Sequence, residues 1–415
     1  MQNILLQNFT VFKNSILSDL ELRGFFYQCT DHEGLINAIN SGTVTFYVGF
    51  DPTGKSLHVG HLLWIRLVNQ LQKLGLKPII LAGGATGKIG DPSGKDKMRS
   101  MLTYEELEEN ISLIVAKLSN LINFKDTESH NKAVLVNNDD WTKDVKYIEF
   151  LRDFGSVVSV NKMLTMDSVR SRLERESHLS FLEFNYMLLQ AFDFYVLHRD
   201  YGCTLQIGGS DQWSNIIQGV DLIRRKSNAQ SFGLSIPLLL TSSGQKMGKT
   251  EKGAVWLDEK MTTPFDFWQY WRNVDDKDVV KLLKLFCDDL TVNEIDSYEK
   301  RVGTKDINEA KIILANSVTK FVHGDSVLAE IKSKSDNMFY GDKRDASTFN
   351  VAAGTLLCDF LVTCGSCQSK SSAKKLIEGG GVKLDGVAVS DVWHKLEVGC
   401  IISVGKKHFY KIDVT

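Results

Sequence analysis

The stretch that most constrains this chain runs from Tyr47 to His61 and reads Y-V-G-F-D-P-T-G-K-S-L-H-V-G-H. Thr43 to Phe50 is short and rich in β-branched and aromatic residues, which predicts a buried strand. Leu57 to Leu74 carries apolar residues at helical spacing and stops at Gly75, which predicts a helix. A strand feeding a glycine-containing turn and then a helix is where α/β sheets hold phosphates and nucleotides. His58 and His61 lie three apart in the first helical turn, so both imidazoles can point to one side. A neutral imidazole donates a hydrogen bond to a phosphate oxygen, and Gly60 has no side chain to keep a flat base off the backbone. Alone, the pair is equally two polar residues at a helix start. A zinc site is the weaker alternative, because no carboxylate or third histidine follows at ligand spacing.

A second motif, Gln245-Lys246-Met247-Gly248-Lys249-Thr250, follows the apolar run Ser235 to Leu240, which reads as a strand. Two lysines three apart around a glycine suit a loop that closes two ammonium groups on a polyphosphate. It is not a P-loop, since Gly244 and Gly248 enclose three residues where four are needed. H-V-G-H after an early strand, joined to K-M-G-K-T after a late one, resembles the paired signatures of the class I aminoacyl-tRNA synthetases. Within that class the chain resembles the bacterial-type tyrosyl-tRNA synthetase family over essentially its full length. The phrases G-G-A-T-G-K-I-G-D-P-S-G-K, Y-M-L-L-Q-A-F-D-F and L-Q-I-G-G-S-D-Q-W make the resemblance specific.

Strands alternating with helices predict a doubly wound parallel sheet with right-handed crossovers, a Rossmann-like catalytic domain over 1–245. Lys77–Leu81, Ala133–Val136 and Thr204–Ile207 are its other predicted strands. Thr103 with Glu106, and Ser180 with Glu183, read as capping boxes opening two of its helices. The lysine loop and a connector occupy 246–262. Thr263-Pro264 then reads as N-cap and first helical residue of a small helical, anticodon-recognition domain over 263–331. A charged linker is expected over 332–347. Residues 348–415 resemble an α+β RNA-binding domain shared with a ribosomal small-subunit protein, with Lys370, Lys374 and Lys375 as its phosphate contacts. An ordinary solvated helix face is the alternative for those lysines. The arginine-dense stretch Asn161–Leu179 reads as a solvated connective helix with internal charge pairs.

A chain of 415 residues exceeds one ordinary core, and a formal net charge of −2 gives no global sign of nucleic-acid binding. Seven cysteines without a framework, and no signal-like N-terminus, lead to the expectation of a reducing cytoplasm. No apolar run approaches the length of a membrane span. Cys364 and Cys367 form a C-x-x-C, read as two incidental thiols because no second pair stands at zinc spacing.

Activation of an amino acid is in-line attack of its carboxylate on the α-phosphate of ATP. The nucleophile is already ionised, so positioning and charge-stabilising donors suffice. His58, His61, Thr53, Lys246, Lys249 and Thr250 are the residues expected to supply them, and the resemblance adds Lys95 and Arg99. The resemblance further implies that Asp91, Tyr186 and Gln190 hold a tyrosine ammonium group, and that Asp193 and Tyr47 bond its phenol. It also implies that Gln206, Gly209, Asp211 and Gln212 surround the ribose and the tyrosine carboxylate. Gly49, Asp51 and Gly60 would line the adenosine side. An aspartate mid-helix between Phe192 and Phe194 needs a partner on any reading. Mg²⁺ would share the pyrophosphate charge, with no dedicated protein cage and no other metal expected. The implied partners are tRNA(Tyr), L-tyrosine, ATP and a second copy in a homodimer, with neither membrane nor DNA.

The chain departs from the family pattern in three places. Gly248-Lys249-Thr250 replaces the last three residues of K-M-S-K-S, Lys88 stands where an apolar residue is more usual, and Asp139 where Tyr is often found. Two other functions compete: the tryptophan-specific sister enzyme, which Asp193 with Tyr47 and the C-terminal domain disfavour, and a non-enzymatic RNA-binding role, which the intact signatures disfavour.

Overall fold

The structure, a computed structural model, describes residues 15–42, 44–92, 102–125, 131–250, 253–340, 347–385, 387–405 and 408–414. Lys95 and Arg99 lie outside these residues, and of Lys249 and Thr250 the backbone alone is described. The chain divides into two units, Met1–His323 and Gly324–Thr415.

The first unit is built on a six-stranded sheet of β1 (Gln28–Cys29), β2 (Thr45–Phe50), β3 (Lys77–Ala82), β4 (Val134–Asn137), β5 (Cys203–Gly209) and β6 (Phe232–Ile236). Its order is β1-β6-β5-β2-β3-β4. Strands β2 to β6 run parallel, and β1, which the sequence did not announce, adds an antiparallel edge on β6. Successive strands depart in one direction from β2 through β3 to β4, and in the other through β5 to β6. The strand order therefore reverses between β2 and β5, where α/β sheets open a crevice at their carboxyl ends. The apolar β2 is buried at all but one position, as a central parallel strand with helices on both faces must be. The last strand lies earlier than the apolar run Ser235–Leu240 predicts. Pro237, with no N–H to donate, ends the ladder, and Leu238 and Leu239 line the crevice instead.

Local capping chemistry sets the helix starts. Thr103 and Glu106 form the capping box of Tyr104–Leu121, Ser180 and Glu183 that of Phe181–Tyr201, and Thr263 caps the helix whose first residue is Pro264. The predicted helix from Leu57 starts later, at Val59, because His58 is its N-cap. The stretch 161–179 is two short helices, Val160–Thr165 and Asp167–Glu174, and it is not wholly solvated. Arg170 pairs with Asp167 on the surface, whereas Arg172 turns inward to a buried ion pair with Glu183 at 3.0 Å.

The helices Pro264–Arg272, Asp276–Phe286 and Ile307–His323 pack around the fully buried Trp271. Arg66 and Arg23 tie them to the sheet by donating to the Phe286, Cys287 and Leu290 carbonyls.

In the second unit the helix Asp325–Tyr340 runs through much of the segment expected as a linker. A five-stranded sheet follows, in the order Val387–Ala388, Val382–Leu384, Cys400–Val404, His408–Val414, Ser347–Val351. It packs with the helices Leu357–Thr363 and Lys370–Glu378 on a core that includes Phe360, Leu361, Ile377 and Ile402. The first and last strands to pair, Ser347–Val351 and His408–Val414, run parallel across most of the unit's sequence, a contact that no local signal announces.

Candidate active site

A cleft of about 740 Å³ opens where the strand order reverses. The parallel register of β2 and β5 sets Tyr47 beside Gln206 at its floor. Tyr47 is 2% exposed, and its hydroxyl has no hydrogen-bond partner among the described residues; the same is true of Gln206 Oε1.

Asp193 comes to this floor from the helix Phe181–Tyr201 and is equally buried. Its partners, which the sequence reading did not find, follow β4. Asn138 donates from Nδ2 to Oδ2 at 2.9 Å, and Trp141 donates from Nε1 to Oδ1 at 2.9 Å. Burial pushes the Asp193 carboxyl up from its ordinary 3.8 to about 7, with these two donors opposing and the Asp51 charge adding to the rise. Burial, and then the Asp193 charge, hold the Tyr47 phenol far above its ordinary range. A usable signal did exist in the sequence: Asn138 and Trp141 stand just past a strand end, on the side where such sheets bind ligands.

Asn138 is itself locked in place. Its Oδ1 accepts from the Ala85 N–H at 2.7 Å, and its Nδ2 also reaches Thr86 Oγ1 at 3.0 Å. Thr86 in turn bonds Asp51 Oδ1 at 3.3 Å, and the Tyr186 hydroxyl donates to Asp51 Oδ2 at 3.4 Å. Burial and the charges of Asp51, Asp91 and Asp193 raise the Tyr186 phenol well above its usual value. Asp51 and Asp91, and Asp193 when ionised, thus add negative potential around the Tyr186 hydroxyl, an environment that suits a cation. Gln212 donates to Asp91 at 2.5 Å, and Asn215 bridges Gln190 and Gln212 at 2.9 and 3.1 Å. No cluster of three or more metal-ligating side chains occurs among the described residues.

The two histidines cap their own helix. His58 is the N-cap of Val59–Lys73, and its Nδ1 accepts from the Gly60 N–H at 3.0 Å. His61 Nδ1 reaches back to accept from the His58 N–H at 3.1 Å. This is a capping box with imidazoles in place of Ser and Glu. With Nδ1 accepting, each neutral ring carries its proton on Nε2 as a donor. Burial, then the neighbouring His58, lower His61 to about 3, so it is neutral at physiological pH. The ring centroids are 4.1 Å apart, and both rings line the cleft. Gly60 is required here because a Cβ would meet the His58 ring at 2.8 Å.

Lys246 also lines the cleft and pairs with Asp211 at 3.3 Å. Gly248 has φ +91°, and a Cβ there would approach the Gly60 nitrogen at 3.1 Å. The backbone of Lys249 and Thr250 pairs with Ala254 and Gly253 in a short hairpin. Tyr270 accepts the Gly248 N–H at 3.3 Å, which links this turn to the helical segment. Gly49, Thr53 and Gly209 also line the cleft. Lys370, Lys374 and Lys375 belong to the second unit, on the helix Lys370–Glu378.

Two imidazoles at the helix start after β2 and a lysine turn packed against that helix line one cleft at the reversal point, the pairing of signatures that class I aminoacyl-tRNA synthetases share. The family model described as tRNA synthetases class I (W and Y) matches residues 40–340, and the chain belongs to that family. It is 45% identical over 414 residues to the tyrosine–tRNA ligase of Pelagibacter ubique, covering 97% of this chain and all of that one. It is 44% identical over 413 residues to that of Clostridium botulinum, with the same coverage. A C-terminally truncated mitochondrial tyrosyl-tRNA synthetase from Aspergillus nidulans superposes with a TM-score of 0.69 at 29% identity, over 79% of this chain and 95% of its own.

Proposed function

We infer that this chain is a tyrosine–tRNA ligase: it activates L-tyrosine with ATP and transfers the tyrosyl group to the 3′ end of tRNA(Tyr). The observation that carries the tyrosine specificity is the buried Asp193 carboxylate beside the unpartnered Tyr47 hydroxyl. A substrate phenol donating to Asp193 and accepting from Tyr47 satisfies both groups, and an amino acid without that hydroxyl leaves them unpaired in a buried site.

In the first step a tyrosine carboxylate oxygen forms a bond to the α-phosphorus of ATP as the bond to the pyrophosphate oxygen breaks. No proton needs to be removed. The Nε2–H donors of His58 and His61, with Thr53 and the ammonium groups of Lys246 and Lys249, stabilise the charge that grows on the phosphates. Thr250, Lys95 and Arg99 complete this set. Asp91, Tyr186 and Gln190 hold the tyrosine ammonium, a role supported by the negative potential around the Tyr186 hydroxyl. Gln206 and Gln212 face the amino acid. Gly49, Asp51, Gly60, Gly209 and Asp211 receive the nucleoside, and Lys246 exchanges Asp211 for phosphate when ATP enters. Mg²⁺ arrives on the nucleotide as part of the substrate. In the second step a hydroxyl of the terminal tRNA ribose attacks the acyl carbon and AMP leaves.

The helical segment serves anticodon recognition, and Lys370, Lys374 and Lys375 serve as phosphate contacts for tRNA. The protein works as a homodimer, a reading supported by the exposed Tyr147, Ile148, Val160, Leu173 and Phe181 within one part of the sequence. No helix among the described residues is long and apolar enough to cross a membrane. The cytoplasm is the proposed compartment.

The test is pyrophosphate exchange into ATP with tyrosine, tryptophan and phenylalanine supplied separately. Exchange with tyrosine alone supports the reading. Exchange with tryptophan moves the assignment to the sister specificity, and exchange with none overturns it.

A further inference from the structure

Two of the positions at which the chain departs from its family pattern, Lys88 and Asp139, are 51 residues apart in sequence and meet in the structure: Lys88 Nζ lies 2.5 Å from Asp139 Oδ1. Both side chains are about one-third exposed, at 32% each, so the pair is a rim contact rather than a core one. The Lys88 ammonium also lies 4.9 Å from the centre of the Tyr104 ring.

The position of the pair in the fold gives it a consequence. Lys88 ends the turn Thr86–Lys88, which follows β3. Asp139 opens the short helix Asp139–Thr142, which follows β4 and carries Trp141. These are the same two segments that Asn138 joins from below, through the Ala85 N–H and Thr86 Oγ1. Asn138 precedes Asp139 directly, and Trp141 follows two residues later, so the two donors on Asp193 flank the charged residue. The Asn138 side chain makes no cap bond to this helix, being engaged with Asp193 and the β3 turn, and the Asp139 N–H is instead accepted by Asn137 Oδ1 at 3.0 Å. The ion pair adds a side-chain tie between the segments to the β3–β4 ladder, the Asn138 N–H on the Ala82 carbonyl and the Asn138 side-chain bonds, and it is the tie whose Lys88 end lines the cleft.

We propose that Lys88 and Asp139 are positioning residues for tyrosine recognition: their ion pair holds the β3 and β4 turns together so that Asn138 and Trp141 keep the Asp193 carboxylate aimed at the substrate phenol. The proposal rests on the tyrosine reading of the pocket. Neither residue touches the reacting atoms. Because an exposed pair contributes modestly and acts through intermediates, its loss changes tyrosine affinity by about two- to fivefold. Because the pair is partly solvated, salt weakens it.

The experiment is tyrosine-dependent pyrophosphate exchange on the full chain, with KM for tyrosine, KM for ATP, kcat and the tyrosine-to-phenylalanine preference measured for Lys88→Met, Asp139→Asn and the swapped double variant Lys88→Asp with Asp139→Lys. A wild-type protein that does not respond to tyrosine overturns the functional reading before any variant is compared. Given that response, the expected result is a KM for tyrosine raised about two- to fivefold in each single variant and a matching fall in preference. KM for ATP and kcat stay within about twofold, and the swapped pair recovers most of the loss. Unchanged KM for tyrosine in both single variants, or equal losses in KM for ATP and kcat, overturns the proposal. The wild type supplies a check that needs no variant: its KM for tyrosine at saturating ATP rises between about 0.1 and 1 M salt, and indifference to salt overturns the proposal.

Discussion

Asn138 donates to Asp193 at 2.9 Å across 55 residues of sequence, and both side chains are buried to within 2% of full enclosure. The bond joins the end of β4 to the middle of the long helix Phe181–Tyr201, so the carboxylate proposed to read the substrate phenol is oriented by a residue from another part of the sheet. Replacing Asn138 with Ala removes that donor and leaves a buried oxygen unpaired. The expected cost is about 1–3 kcal/mol, or roughly 5- to 150-fold in kcat/KM for tyrosine. Steady-state exchange kinetics measure it, with KM for ATP unchanged as the internal control.

With Asp193 accepting the substrate phenol as proposed, its raised value sets a pH dependence on tyrosine binding. Above about 7 the carboxylate is ionised and accepts a strong hydrogen bond from the phenol; below it the group is increasingly protonated. KM for tyrosine should therefore rise as pH falls from 8 to 6, and Asp193→Asn should abolish the dependence. His61, lowered to about 3, does not titrate in this window. A KM profile taken at saturating ATP checks it.

The same shift has a consequence for stability. A carboxyl whose folded value of about 7 exceeds its ordinary 3.8 favours the folded state fully below about 4, and that contribution is lost as pH rises toward 7. Asp193→Asn should thus melt higher relative to wild type at pH 8 than at pH 4. Thermal unfolding at the two values tests the sign.

His58 has two separable duties. As N-cap it accepts the Gly60 N–H, and through Nε2–H it faces the cleft. His58→Ala should lose about 0.5–2 kcal/mol of stability together with activity, whereas His58→Asn should restore most of the stability through its own capping oxygen and leave activity low. Denaturant titration and exchange rates on both variants separate the two.

Gly248 holds a left-handed backbone against the first turn of the histidine helix. Restoring the serine of the K-M-S-K-S form should cost about 1 kcal/mol or more in backbone strain and displace the lysine turn. The expected kinetic signature is a fall in kcat with KM for tyrosine preserved.

The parts of this protein legible in its sequence are those whose physics closes within a few residues. The capping boxes at Thr103 and Ser180, the Thr263-Pro264 start, the apolar β2 and the glycine turn before His58 are all local. They point to an α/β sheet with a glycine-containing turn before a helix, and Tyr47, His58, His61, Asp193 and Lys246, which the resemblance names, all line one cleft. The apolar run beyond Pro237 has the texture of a strand but serves the cleft and not the ladder, so β6 ends at Ile236.

What the tertiary structure alone decided are the contacts that join distant segments. Asn138 and Trp141 on Asp193, the pairing of Lys88 with Asp139, the turn of Arg172 inward to Glu183 and the parallel pairing of Ser347–Val351 with His408–Val414 are of this kind. Tautomer and charge belong with them. The histidines became Nε2–H donors because their Nδ1 atoms cap a helix, and Asp193 reached about 7 because the fold buried it. A sequence specifies which groups are available, but the cost of burying a charge and the partner that offsets it exist only once the chain has closed around them.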